Sequence, residues 1–182
     1  MNGGSSNNSS STNSNNNNSV TLVQEDLLCN IISSIQKCLS FDKDGFLDKQ
    51  KFEKLLPALV NQLENQMGNE ESYKNRVDRY LVPCITQLAI TINQEMLWKP
   101  MNHAVLMKTR NPYANVKLSA IAVIQSLYKR LGERLLILLP ESFQFISELL
   151  EDSAPEVEKA CQDLVKTIEA HLGTEESISS YL

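Results

Sequence analysis

The chain has 182 residues, a formal net charge of −5 and four cysteines, which allows one domain or a short repeat array. Its longest apolar run is the stretch 135–139, against the roughly 20 residues that a membrane-spanning helix needs. The N-terminus lacks the basic start and apolar stretch of a signal peptide, so neither a membrane span nor secretion is expected.

Residues 1–19 hold eight Asn and seven Ser, no charge, and no aliphatic residue except Met1. Such a tract cannot bury enough apolar surface to offset the entropy of ordering it, and it is expected to be disordered. Residues 20–182 are then the helical domain. Val23, Leu27, Leu28, Ile31, Ile32, Ile35 and Leu39 recur at three- and four-residue spacing, which predicts a helix over 22–40 with one wide apolar face.

Residues 40–48 imitate the loop of an EF-hand. With Gly45 at the sixth position, Asp42, Asp44 and Asp48 fall on the third, fifth and ninth. The twelfth, which should supply a bidentate carboxylate, is Lys51. The expectation is an interhelical loop with an acidic N-cap and no metal site.

Phe52, Leu55, Leu56, Leu59, Val60, Leu63 and Met67 continue the helical phasing across Pro57. That proline predicts either a kink or a new helix starting beside it. A third face follows in Tyr73, Val77, Tyr80, Leu81, Cys84, Ile85, Leu88 and Ile92, with an internal Pro83. No strand-like alternation occurs. The chain reads as all-α.

The charge is unevenly distributed. Residues 99–134 carry seven basic side chains and one acid, Glu133, while residues 135–182 carry two basic and ten acidic ones. Lys99, Lys108, Arg110, Lys117, Lys129 and Arg130 are the candidate contacts to RNA or a protein partner. Lys108, Arg110 and Lys117 flank the Asn111-Pro112 turn and are expected along one edge. Asp152, Glu156 and Glu158 lie near the equivalent turn of the next unit, so the sign should flip along that edge.

The equivalence comes from an internal repeat. At an offset of 41, Val116 meets Val157, Ala120 meets Cys161, Val123 meets Leu164, Leu127 meets Ile168, and Leu131-Gly132 falls on Leu172-Gly173. Each unit reads as a turn, a helix of about five turns and a closing left-handed glycine. Ser153 and Glu156 suggest a capping box. Another apolar helix precedes each turn, beginning near Pro100 or Pro140. A period near 40 built from helix pairs is the signature of HEAT or armadillo arrays, and the Asn/Asp turn followed by Val and a small residue points to HEAT. An α-solenoid of three to four HEAT-type pairs is expected, with an irregular helical bundle as the alternative.

Cys29, Cys38, Cys84 and Cys161 lie among apolar neighbours and are expected to be reduced and buried. With only His103 and His171 and no C-x-x-C pair, no zinc site is expected. None of the common catalytic motifs is present, and no cofactor is expected. Trp98 reads as an inter-repeat packing residue.

Several segments carry a family resemblance: residues 59–65 (LVNQLEN), 97–102 (LWKPMN), 106–110 (LMKTR), 138–142 (LLPES), 148–152 (ELLED), 156–162 (EVEKACQ) and the ending Ser180-Tyr181-Leu182. In order and spacing they resemble the C-terminal region of the HEAT repeat-containing protein 1 family, also called U3 small nucleolar RNA-associated protein 10. The resemblance covers about residues 22–182. It implies a nucleolar, non-catalytic scaffold of the small-subunit processome, acting in early processing towards 18S RNA and in rDNA transcription. Its implied partners are other processome proteins, with U3 small nucleolar RNA or pre-rRNA in the same particle. The second reading is a generic HEAT-type protein adaptor with no ribosomal role.

Overall fold

The computed structural model describes residues 12–172, and every regular element among them is helical. The helices are α1 (Thr12–Ser40), α2 (Lys49–Val60), α3 (Glu70–Arg76), α4 (Val82–Ile92), α5 (Glu95–Lys108), α6 (Ala114–Leu131), α7 (Leu139–Leu150) and α8 (Pro155–Glu169). Tighter 3-10 turns follow α2 (Asn61–Glu64) and α6 (Gly132–Leu138), and a π turn (Val77–Leu81) joins α3 to α4. The first helix begins at Thr12, inside the Asn/Ser tract expected to be disordered. Propagating an existing helix adds one hydrogen bond for each residue fixed, so it can extend into poor helix formers. Residues 1–11 and the closing Gly173 of the second unit lie outside the described residues.

The helices form two layers. One holds α1, α3–α4, α6 and α8 side by side; the other holds α2, α5 and α7. Across the layers α2 packs on α4, α5 on α6 and α7 on α8. This is an α-solenoid of three complete pairs, with α1 as a further member of the first layer.

The two units of the 41-residue repeat share their turn geometry and their inward positions. Tyr113 N–H donates to Asn111 Oδ1 and Ala154 N–H to Asp152 Oδ1, both at 3.0 Å. These side-chain turns place Tyr113 and Ala154 in nearly the same extended conformation, φ −91° and −93°, as N-caps of α6 and α8. The next inward positions coincide: Val116, Val157, Ala120 and Cys161 are all 0 % exposed. Val123 with Leu164 and Leu127 with Ile168 continue the buried face.

Local details depart from the sequence reading in four places. The Ser153–Glu156 capping box is absent, because Ala154 is the N-cap and Pro155 opens the helix. Gly132 takes φ 57° and ψ −138°, so it turns the chain into the 3-10 segment rather than closing α6 as a left-handed cap. Pro57 and Pro100 lie inside α2 and α5, so α5 begins five residues before its proline. Pro83, in the first turn of α4, follows directly on the π turn. A proline lacks an N–H and crowds the carbonyl four residues back, and the wider π register is where the helix accommodates that loss. The extra residue also leaves Tyr80 only half-buried while Leu81 is fully buried.

Two polar residues pin the pairs. Arg76 is buried, donates to the carbonyls of Met67 (3.0 Å) and Asn65, and so holds the loop before α3. Trp98 is buried and donates its indole N–H to Ala89 O at 2.9 Å, tying α5 to α4 as an inter-repeat packing residue.

Because Val157 is fully enclosed and Glu158 is only half-buried on the far side of the same turn, their substitutions should differ sharply. Val157→Asp is expected to cost about 3 kcal/mol or more, since it buries an unpaired charge. Glu158→Lys should stay within about 0.5 kcal/mol of wild type. Urea unfolding followed by circular dichroism measures both, and similar midpoints for the two would show that the helix phase is wrong.

Candidate functional site

The basic stretch folds into a tie between repeats. Lys108 Nζ, at the end of α5, reaches Glu64 Oε2 at 2.7 Å and Asn61 Oδ1 at 3.0 Å, in the preceding pair. Arg110 grips Glu148 of the following pair with both prongs, Nε to Oε2 at 2.8 Å and Nη2 to Oε1 at 2.7 Å. Its guanidinium also lies 4.2 Å from the centre of the Phe145 ring. Lys117, in the first turn of α6, pairs with Asp152. Lys99 stands 3.7 Å from Glu141. Asn111 and Asn115 add amide bonds to Glu64 (3.0 Å) and Gln66 (2.7 Å).

Four of the six candidate contact residues are therefore paired with acids one repeat away. Lys129 and Arg130 differ. They are exposed in the last turn of α6 and have no partner among the described residues. A cation there also complements the negative end of the helix dipole. Of the acids expected to flip the sign along that edge, Asp152 is engaged by Lys117 of the neighbouring unit, while Glu158 accepts from Gln162 of its own helix.

The carboxylates register this engagement. Hydrogen bonds from Lys108, Arg110 and Lys117 hold Glu64, Glu148 and Asp152 respectively below the usual carboxylate range. The Lys117–Asp152 pair is the least exposed, with side chains 19 % and 9 % accessible. Exposed pairs are worth little because water screens them, so this is the pair on which stability depends most. Sequence reasoning missed Glu64 and Glu148 as partners. The available signal was opposite charge about one repeat apart, as in Lys108 with Glu64 and Arg110 with Glu148.

The remaining reactive groups are dispersed. Among the described residues no three His, Cys, Asp or Glu side chains converge as metal ligands. In the EF-like loop, Asp42 accepts from the N–H groups of Phe46 and Leu47, both at 2.7 Å, and Asp48 caps α2 by accepting from Lys51 N–H at 2.8 Å. His103 is exposed and makes a T-shaped ring contact with Phe145, and His171 lies just past α8. Burial pushes the thiols of Cys84 and Cys161 up to about 12. Cys38 is exposed and Cys29 half-buried, contrary to the expectation that all four are buried. Both lie on α1, whose apolar face is only partly covered. No helix among the described residues is long and apolar enough to cross a membrane.

No family model matches the chain. A HEAT repeat-containing protein 1 homolog of Dictyostelium discoideum is 67 % identical over 158 residues, 87 % of this chain and 7 % of that protein. HEAT repeat-containing protein 1 of Homo sapiens is 39 % identical over 155 residues, 85 % of this chain and 7 % of its own length. U3 small nucleolar RNA-associated protein 10 of Schizosaccharomyces pombe is 34 % identical over 151 residues, 82 % of this chain and 9 % of the yeast protein. The chain thus spans less than a tenth of these relatives.

Because Glu64, Glu148 and Asp152 have depressed values in the folded state, the unfolded chain binds more protons as the medium is acidified. Their stabilisation is present above the ordinary carboxylate range of about 4, and is lost as pH falls through the lower folded values. Thermal melting should therefore drop between pH 6 and pH 3. Lys117→Ala should lower stability near neutrality by about 1 kcal/mol or more and flatten that pH dependence, while Lys129→Ala should do neither. Equal pH slopes for wild type and Lys117→Ala would remove the energetic role of the pair.

Proposed function

The chain belongs to the HEAT repeat-containing protein 1 family, and we propose that it is a non-catalytic scaffold module in ribosome biogenesis. The observation that carries the reading is its similarity, over most of its length, both to proteins of that name and to one named for association with U3 small nucleolar RNA. The proposed setting is the small-subunit processome in the nucleolus. The proposed steps are early processing towards 18S RNA and rDNA transcription, with other processome proteins as the main partners.

The ion-paired edge supports contact with protein ahead of contact with RNA. A phosphate backbone needs cations free of other partners, and Lys108, Arg110 and Lys117 are engaged with Glu64, Glu148 and Asp152. RNA contact, where it occurs, falls to Lys129 and Arg130. Reversing Lys108, Arg110 and Lys117 would disturb these inter-repeat ion pairs as well as any outside contact, so it would not separate binding from stability.

The test is affinity purification of the tagged chain at two salt concentrations, with identification of the recovered proteins and RNA. Processome proteins and U3 RNA are expected. Lys129→Glu with Arg130→Glu should leave the proteins in place and weaken RNA recovery, reducing the salt dependence by about 0.7 to 0.9 per lost contact. Recovery of other proteins with no processome component and no U3 RNA would favour the generic adaptor.

A further inference from the structure

The loop before α3 meets α1 where the sequence supplies only acids. Residues 1–36 and 55–73 contain no Lys, Arg or His, and between them carry Glu25, Asp26, Glu64, Glu70 and Glu71. Of these, Glu64 pairs with Lys108, while Asp26, Glu70 and Glu71 are exposed. Glu25, on α1, is in neither position. It is only 8 % exposed, and its Oε1 has no hydrogen-bond partner among the described residues.

Gly68 makes room for this carboxyl group. It takes φ 87°, a conformation that strains a side chain, and a Cβ at this position would overlap Glu25 Oε1. The carboxyl lines a cavity of about 490 Å³ together with Thr21, Leu22, Asn69 and Ser72. The chain's own bases do not supply the counter-charge. Arg76 is spent on the carbonyls of Met67 and Asn65, and its Nε is also left without a partner. Residues 173–182, outside the described set, hold no Lys, Arg or His either. A buried carboxylate without a partner costs free energy, which an incoming cation would offset. A metal ion fits less well. A hard cation asks for several oxygen ligands, and no three acidic side chains converge among the described residues.

We propose that the cavity between Glu25 and Gly68 is a socket for one Lys or Arg side chain of a protein partner. The acid-only surroundings draw a basic segment towards it, and Glu25 takes one of its charges. The socket is distinct from Lys129 and Arg130, and it is independent of the particle that the chain joins.

The probe is a six-residue peptide of alternating Gly and Arg, with citrulline in place of Arg as the uncharged control. Each is titrated to about 5 mM, the range of a weak contact, against the full chain while backbone amide NMR signals are followed. The signals of Gly68, Asn69 and Ser72 should shift saturably with the arginine peptide and not with the citrulline one. Glu25→Gln should weaken the affinity about tenfold. It should leave the melting temperature equal or higher, because it removes an unpaired charge from a buried position. Asp26→Asn, at the exposed neighbouring position, should change the affinity by less than about twofold. Absence of a saturable shift overturns the proposal. So does an equal loss in both variants, which marks diffuse attraction instead of a socket. A melting temperature several degrees lower in Glu25→Gln assigns the carboxyl a structural role and overturns it too. Calcium or magnesium that displaces the peptide assigns the carboxyl to a metal, with the same consequence.

Discussion

A single side-chain turn sets most of this structure. Asn111 and Asp152 each accept the N–H of the residue two places on, fixing an extended N-cap at Tyr113 and Ala154. The cap starts the helix in one phase only, with Val116 or Val157 and then Ala120 or Cys161 turned inward. The small second residue lets the helix lie close to its partner. Had the turn opened one residue later, the buried row would have rotated by about 100° and met solvent.

The same turn residues bind one repeat to the next. Asn111 uses its amide on Glu64, and Asp152 uses its second oxygen on Lys117. Geometry within a pair and registry between pairs thus share atoms. A solenoid is stabilised by nearest-neighbour contacts rather than by one central core, so ties of this kind matter along its whole length. The basic segment that looked like an anion-binding stripe is largely the cationic half of those ties.

The ends of the array carry the consequence. Interior pairs have neighbours on both sides and bury both, whereas α1 packs mainly on α4 and the π turn before it and, among the described residues, leaves Val23, Leu27 and Ile31 exposed. The half-buried thiol of Cys29 and the exposed thiol of Cys38 belong to the same imbalance. α8 meets solvent with charge and amide instead. The two outer helices of the described array are thus chemically unlike.

The sequence by itself determined the helical class, the 41-residue period and the inward positions of α6 and α8. Periodicity is a local property of the chain, and burial follows it wherever a neighbour is present. The acidic N-cap of α2 was legible for the same reason: Asp48 caps the helix as its spacing implies. Only the tertiary structure decided which charges are free. Lys108 and Lys129 are alike in sequence, but one lies across from Glu64 and the other meets solvent. It also decided which part of the α1 face is covered, because an amphipathic stripe records that a helix can bury a surface and not whether a neighbour is there to bury it. Pairing across a repeat depends on how adjacent helix pairs stack, and that angle is set by packing rather than by any one residue.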